Sequence, residues 1–304
     1  MFASTLDLLQ KAQRQHYAVG HFNINNLEIV QGIVQAAQNL KSPVILATSE
    51  GGLRYAGMNY LYELALTASE LSAIPVALHL DHGKDQDVIQ NAIRIGYSSV
   101  MIDASQDDFE ANVKKTKQIV SLAHRKGVSV EAELGTIGGA EDKVRSRKII
   151  YADAGDVHEF VQRTGCDFLA IGIGTSHGAY KFAGKPQLRF DILKQIRAKT
   201  KVPLVLHGAS GVPPSLVKEA QIYGARLKGV EGVSDSQLRK AIKLGICKIN
   251  TDTDLRLAFD VGVRKFLKEN PKDFDPRHIL APARDMIEKV VEHRLKLCGS
   301  VGKA

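Results

Sequence analysis

Pro75-Val76-Ala77-Leu78-His79-Leu80-Asp81-His82-Gly83 is an apolar run that ends in an acid, an imidazole and a glycine. A short apolar run closed by a turn residue reads as a buried strand, here Val76–Leu80, carrying reactive groups to its C-terminal end. The same pattern recurs along the chain. The candidate strands are Tyr17–Phe22, Pro43–Thr48, Val76–Leu80, Ser98–Ile102, Val128–Glu133, Phe168–Ile171, Leu204–Leu206 and Cys247–Asn250. Amphipathic segments such as Leu27–Asn39, Asp85–Ile95, Phe109–His124 and Asp191–Lys199 lie between them. Alternating β and α units with right-handed crossovers give a parallel sheet. No Gly-x-Gly-x-x-Gly follows the first strand, so the pattern predicts an α/β protein of the closed TIM (β/α)8 barrel type rather than a dinucleotide-binding sheet. A barrel of this kind needs about 250 residues, so a single domain spanning residues 1–304 uses nearly the whole chain.

Composition narrows the function. The chain is 44% hydrophobic and 24% charged, ordinary for a globular protein. No apolar run approaches the roughly 18 residues that a membrane helix requires. The start, Met1 to Gln15, is too polar and too mixed in charge for a secretory signal. Cys166, Cys247 and Cys298 are odd in number and scattered, which fits reduced thiols in the cytoplasm rather than a disulfide framework or a Cys-x-x-Cys metal site. The net charge is +8, yet Lys and Arg are spread without a dense basic run. A positive field that draws in small anionic substrates accounts for that charge equally well. The expectation is a soluble, cytoplasmic protein with neither a nucleic-acid nor a membrane partner.

Two stretches interrupt the rhythm. Gly135–Asp156 follows the fifth strand, opens with glycines, continues with charges and has little periodicity. Connections of that length are lids or insertions, so a long mobile loop is expected there. Gln221–Gln237 reads as a Gly-rich surface insertion. The tail, Ala283–Leu297, reads as an extra amphipathic helix with Met286, Ile287, Val290 and Val291 on one side, suited equally to cladding the barrel or to contacting a second subunit.

Polar residues collect where the strands end. They are Ser49-Glu50, Asp81-His82, Asp103, Glu133, Gly174-Thr175-Ser176-His177-Gly178, His207-Gly208-Ala209-Ser210 and Asn250-Thr251-Asp252-Thr253. In a TIM barrel these ends share one face, where active sites form. Singly, His82, His177 and His207 are better read as hydrogen-bonded barrel residues. As a set at three strand ends they suit a catalytic zinc, which takes about three protein ligands and keeps one position open. His79, within its strand, reads as an inward structural or supporting residue. Gly208-Ala209-Ser210 and Asn250-Thr251-Asp252-Thr253 occupy the loops that often bind phosphate in this fold, where small residues let backbone N–H groups reach an anion and hydroxyls add donors. Gly178 and Lys181 offer a further N–H and a cation. Either loop alone is ordinary turn chemistry; together, beside three histidines, they point to a phosphorylated ligand at a metal. Asp81 is placed either to shuttle a proton or to orient a histidine.

Pro75–Gly83, Val130-Glu131-Ala132-Glu133-Leu134-Gly135, Gly174–Gly178, Leu206–Ser210 and Lys248-Ile249-Asn250-Thr251-Asp252-Thr253-Asp254-Leu255-Arg256 resemble the class II fructose-bisphosphate aldolases. The resemblance runs in order from Gly20-His21-Phe22-Asn23 to Gly299-Ser300-Val301-Gly302. It implies a zinc held by His82, His177 and His207, replaceable by cobalt or iron because imidazole accepts all three. It implies Asp81 as the proton donor on the nascent aldehyde side, and Asp103 and Glu133 at a second or alternate metal position. Gly178, Gly208, Ala209, Ser210, Asn250, Thr251, Asp252 and Thr253 match the dihydroxyacetone phosphate side, and Ser49 the glyceraldehyde 3-phosphate side. Glu141 matches a loop glutamate active in proton transfer. Arg277, joined by Arg256, matches an arginine that reaches the distal phosphate from a neighbouring subunit. The implied reaction is reversible cleavage of fructose 1,6-bisphosphate to two triose phosphates, in glycolysis or gluconeogenesis, by a homodimer or homotetramer. A monovalent cation near the phosphate has no support in the sequence.

Three rivals remain at this point. A tagatose-bisphosphate aldolase shares scaffold and chemistry, but its eighth-strand motif is less polar than Asn250-Thr251-Asp252-Thr253-Asp254. A Schiff-base aldolase using Lys248 leaves three histidines unexplained. A silent barrel scaffold would have no need of Asp81 or the histidines.

Overall fold

The computed structural model describes residues 1–141, 144–146, 150–178, 187–227 and 229–304, with backbone alone at 139–141, 144–146 and 177. Eight parallel strands close into a barrel in the order β1, β11, β10, β8, β5, β4, β3, β2. They are β1 (Val19–Asn23), β2 (Val44–Ser49), β3 (Val76–Gly83), β4 (Ser99–Ile102), β5 (Ser129–Leu134), β8 (Phe168–Ile171), β10 (Leu204–Leu206) and β11 (Ile246–Thr251). All eight coincide with the apolar runs of the sequence, shifted by two residues or fewer at the N-terminal ends. The protein is an α/β TIM barrel.

The strands alternate faces, as the pleat requires. Val44 and Leu46 pack outward under the helices with Val76, Leu78 and Leu80. Ile45 and Ala77 face the lumen, where they join Val19, Phe168, Ala170, Val205 and Cys247. The lumen is closed at its N-terminal end by the helix Thr5–Gln15, whose Leu8, Leu9 and Ala12 complete that cluster. Ser4 starts this plug by accepting from the Asp7 amide. The opening residues that looked merely unlike a signal sequence are therefore the floor of the barrel.

The outer helices begin and end on their own side chains. Asp108 caps Phe109–His124 through the Ala111 amide at 2.8 Å. Gln86–Ile95 stops at Gly96, whose φ of +107° no β-carbon tolerates well. The tail helix is longer than its periodicity suggested, Pro276–Cys298, with Asp275 as its cap. Pro282 inside it reads as a breaker in sequence, which hid the first turns. Ile287, Val291 and Leu295 are buried on this helix and it packs on Leu27–Asn39 and Thr253–Glu269, so it clads the barrel. Gly262 makes the second contact possible, since a β-carbon there would come within 2.5 Å of Ala283.

Both interrupted stretches contain structure. The connection after β5 holds β6 (Gly138–Glu141) and β7 (Val144–Ser146), which pair antiparallel, while β6 also pairs parallel with β9 (Ser176–His177). Strands this short carry no readable period. The mobility expected of this loop rests in part on residues 142–143 and 147–149, outside the described residues. Within Gln221–Gln237, Val233 is buried and its amide donates to Ser210 O at 3.1 Å, so the insertion is packed against the loop after β10. Among the described residues, no helix is long and apolar enough to cross a membrane.

Candidate active site

Directly above the apolar floor the lumen turns polar without ceasing to be buried. His21 and Asn23 come from β1, His79 and Asp81 from β3, Glu131 and Glu133 from β5, Lys248 and Asn250 from β11, and His207 just follows β10. Glu131 is the hub of this layer. Its Oε1 accepts from His207 Nε2 at 2.5 Å and its Oε2 from Lys248 Nζ at 2.8 Å. Burial alone would raise the Glu131 pKa, but Lys248 and then His207 outweigh it and hold the carboxyl well below its usual range. Cys247 reaches the lumen through a bulge, because one step on β10, Leu204 to Val205, spans two on β11, Ile246 to Lys248. Cys247 and Lys248 thus both point inward.

A second bulge sets the rim of β3. Leu80 to Gly83 stands opposite the shorter Val100 to Ile102 of β4, and His82 adopts a φ of +48°. That left-handed backbone, uncommon for a non-glycine residue, lets Asp81 and His82 serve the same mouth. Beside it, Glu50 accepts from the amides of Lys84 and Asp85 at 2.8 and 2.7 Å and holds the turn. Asp81 accepts from Asn23 Nδ2 at 2.9 Å and from Asn250 Nδ2 at 3.1 Å. Burial works against its charge, but His21 and His82 prevail and keep the Asp81 carboxyl well below the carboxylate range. Burial, reinforced by Lys248, pushes His21 down to about 4.

The imidazoles of His82 and His207 meet edge to face, with Nε2 of the first 2.7 Å from Nδ1 of the second. Each is oriented from behind by a carboxylate. His82 Nδ1 lies 3.0 Å from Asp103 Oδ2, and His207 Nε2 bonds Glu131. With those outer nitrogens as donors, the inner two direct lone pairs at one point, the arrangement that carboxylates impose on metal-binding histidines. Two lone pairs cannot approach so closely, so a contact of this length is a hydrogen bond in which one ring donates to the other, and a divalent ion bound there would take the place of that proton. Burial resists protonation of His82, yet Asp81 and Asp103 push it up to about 10; burial and His82 together push His207 down to about 4. Donor atoms of Asp81, His82 and His207 all lie within 4.8 Å of one another, as do those of His82, Asp103 and Glu133. Among the described residues Glu133 Oε2 is buried without a hydrogen-bond partner, and burial with the neighbouring Asp103 raises this acid to about 8. A buried carboxyl whose pKa is raised, beside Asp103 and His82, is a group whose charge a divalent ion would stabilise. The residues fit a metal, with two donor groupings that share His82.

The mouth is lined by Asn23, Asp81 and His82 together with Ser176, Gly178, Gly208, Ala209, Ser210, Asn250, Asp252 and Thr253. Gly208, at φ +58°, passes so close to the backbone of Ser176 that a β-carbon would lie 2.7 Å from its carbonyl oxygen. The two glycine-and-hydroxyl loops are joined by the Asp252 amide, which donates to Ser210 Oγ at 3.3 Å. Thr251 is turned the other way: its hydroxyl is buried and accepts from Arg294 Nε at 3.2 Å. Ser49 pairs in register with Asp81 and caps the helix Glu50–Ala56 through the Gly52 amide. Arg256 pairs with Asp252 at 2.5 Å. Arg277 is 84% exposed and folds onto Asp275 at 2.6 Å, away from the lining of the mouth. The side chains of His177 and Glu141 lie outside the described residues, as does Lys181 altogether.

Sequence reasoning passed over Glu131, Asn23 and Arg294, and read Lys248 only as a rival nucleophile. Glu131 was within reach, since it stands two residues before Glu133 and shares its face. Lys248 was within reach by the same rule, two residues before Asn250; what the bulge hides is that Cys247 faces inward as well.

A closed barrel whose C-terminal mouth gathers cation-seeking imidazoles and carboxylates beside glycine-rich loops defines an enzyme of metal-assisted chemistry. Comparison with known proteins makes this specific. The family model described as fructose-bisphosphate aldolase class-II matches residues 3–303. The chain is 47% identical to a fructose-bisphosphate aldolase of Thermus caldophilus over 100% of both chains, and 45% identical to one of Giardia intestinalis over 98% of this chain and 93% of that one. Among solved structures, the YdjI aldolase of Escherichia coli K12 superposes with a TM-score of 0.82 at 35% identity, covering 100% of both chains. The chain belongs to the class II fructose-bisphosphate aldolase family and is a carbon–carbon lyase. The family is metal-dependent and acts on phosphorylated sugars.

Proposed function

We propose that the chain, as one catalytic domain over residues 1–304, uses zinc to cleave fructose 1,6-bisphosphate reversibly into dihydroxyacetone phosphate and glyceraldehyde 3-phosphate. The observation that carries the metal reading is the convergence of donor atoms of Asp81, His82 and His207 within 4.8 Å of one another, each imidazole fixed from behind by a carboxylate. His82, His177 and His207 hold the zinc, and Asp103 with Glu133 forms the second position. When bound, the zinc supplies electron withdrawal from the substrate's ketone oxygen.

The chain's own groups do the rest. In cleavage, the Asp81 carboxylate accepts the C4 hydroxyl proton while the C3–C4 bond breaks, and in condensation it returns that proton to the aldehyde oxygen. Its depressed pKa supports the ionised form that cleavage requires. Asn23 and Asn250, each donating to a different Asp81 oxygen, hold the carboxylate in one orientation. Glu141 exchanges the proton at C3. Gly178, Lys181, Gly208, Ala209, Ser210, Asn250, Asp252 and Thr253 make up the phosphate side nearest the ketone, so that binding energy aligns the reacting carbons, while Thr251, its hydroxyl turned to Arg294, is left out of that set. Ser49 and Arg256 serve the other phosphate, with Arg277 arriving from a neighbouring subunit of a homodimer or homotetramer. Glycolysis or gluconeogenesis in the cytoplasm is the setting.

The test is cleavage of fructose 1,6-bisphosphate before and after chelation, with zinc added back and tagatose 1,6-bisphosphate run in parallel. Activity abolished by chelator and restored by zinc, with fructose the better substrate, is expected. Cleavage indifferent to chelator, with borohydride trapping substrate on Lys248, would overturn the zinc reading; a preference for the tagatose sugar would overturn the substrate.

A further inference from the structure

Arg294 is a guanidinium only 2% exposed, carried on the outer helix Pro276–Cys298 rather than in the lumen. Burying that charge is unfavourable unless its donors are used. They are used on the two loops assigned above to phosphate. Nη2 donates to Ala209 O at 2.7 Å, behind the loop after β10, and Nε donates to Thr251 Oγ1 at 3.2 Å, at the end of β11. One planar fork therefore ties together loops that are far apart in sequence.

The first bond also fixes a direction. In a trans peptide the carbonyl and the following N–H point opposite ways, and no cis bond occurs among the described residues. With the Ala209 carbonyl drawn back onto Arg294, the Ser210 N–H of the same peptide points away from Arg294, and both Ala209 and Ser210 line the mouth. The next two amides, Gly211 and Val212, are turned away and donate to the buried Asp254 at 2.9 and 2.7 Å. Arg294 and Asp254 flank Gly211 so closely that a β-carbon there would lie 3.3 Å from Arg294 Nη1 and 3.7 Å from Asp254 Oδ2. Gly232 presses on the same turn from outside, and the Val233 amide closes it by donating to Ser210 O.

We propose that Arg294 is a positioning residue for phosphate: it anchors the Ala209–Ser210 peptide with its N–H toward the mouth and locks that peptide to the end of β11, without touching substrate. The inference rests on the reading of these loops as a phosphate site. The test is competitive inhibition of the zinc-loaded enzyme by inorganic phosphate, with zinc affinity measured on the same variants. Arg294→Met is expected to weaken phosphate binding by about tenfold or more, the usual effect of losing a charged hydrogen bond, and to raise KM, with zinc affinity unchanged. Arg294→Lys keeps the charge but cannot bridge both acceptors, so it should restore phosphate binding only in part. It is also the variant to read if Arg294→Met does not fold. Phosphate inhibition at the native level in a folded Arg294→Met protein, or in Arg294→Lys where the former is insoluble, would overturn the proposal. A parallel loss of phosphate and zinc affinity would also overturn it, since that marks general loosening. Absence of phosphate inhibition in the native enzyme would instead remove the phosphate reading itself.

Discussion

The lower and upper halves of the barrel lumen are both buried and chemically opposite. In the lower half Leu9, Ala12, Val19, Ile45, Ala77, Phe168 and Val205 fill the space with hydrocarbon, closed by the N-terminal helix. A single inward step along β1 and β3, about 6.6 Å of rise, replaces Val19 by His21 and Ala77 by His79. The lower half needs only close packing, which is non-directional. The upper half has to satisfy every charge it buries, so Glu131 carries bonds from both Lys248 and His207, and Asp81 from two asparagines. The division runs across each strand rather than between strands, so one strand serves stability at its start and chemistry at its end. Substitutions in the two halves should then fail in different ways.

The largest effect belongs to the metal histidines. His207→Ala removes one inner nitrogen and leaves Glu131 with Lys248 as its hydrogen-bond donor. Zinc content after dialysis should fall to near zero and cleavage by about a thousandfold or more, the scale of a lost Lewis acid. Retained zinc in that variant would take His207 out of the upper half's chemistry. Asp81→Asn comes next. It keeps the shape of the side chain and can still meet Asn23 or Asn250, but it cannot accept the C4 proton. The expected loss is about 10²–10⁴-fold in kcat, with zinc content unchanged by metal analysis. Loss of zinc there would make Asp81 a holder of the metal instead of a proton carrier.

Glu131→Gln probes the support beneath the metal. An amide can still contact the His207 ring but no longer fixes its tautomer, and it leaves Lys248 as a buried cation without a carboxylate. Zinc affinity, read by competition with a chromophoric chelator, should weaken by about 10–100-fold. Lys248→Met alone strands the opposite charge, and the double variant should be less impaired than the two single losses combined, because the pair is removed together. If thermal stability falls while zinc affinity holds, the ion pair belongs with the floor, and the boundary between the halves lies one layer higher.

How much of this was legible follows from the kind of signal involved. Strand and helix positions rest on apolar periodicity, which survives in one sequence, so all eight barrel strands and helices such as Leu27–Asn39 and Phe109–His124 were readable. The ends of strands were readable too, because Asp81, His82, Asp103, Glu133 and His207 each interrupt an apolar run. Depth within the lumen was not. Lys248 shares the inward face of Asn250 but lies one layer deeper, bonded to Glu131, and Thr251, on the opposite face, accepts from Arg294. The floor helix Thr5–Gln15 was missed for a related reason: its buried face, Leu8, Leu9 and Ala12, is short and set among polar residues, and only the barrel above it gives that face a partner.

The smallest expected effect on catalysis, and the sharpest test of the division, lies in that helix. Leu9 is fully buried against the floor, so Leu9→Ala should lower stability by about 2–5 kcal/mol, the usual range for a leucine cavity. Denaturant titration would read the loss. The two halves are nevertheless joined by one polar thread: Ser99 Oγ donates to Thr5 Oγ1, on the floor helix, at 2.8 Å, and lies 2.7 Å from Nδ1 of His79 in the upper layer. If packing in the floor sets the position of that thread, Leu9→Ala will shift His79, then Glu131, and kcat/KM will fall in protein that is still folded. If the floor merely fills space, kcat/KM will stay within about twofold of native at temperatures well below the transition. The second outcome is expected, because a cavity in a close-packed core relaxes mainly in the side chains that line it, and His79 is held from its own side by β3 and Ser99.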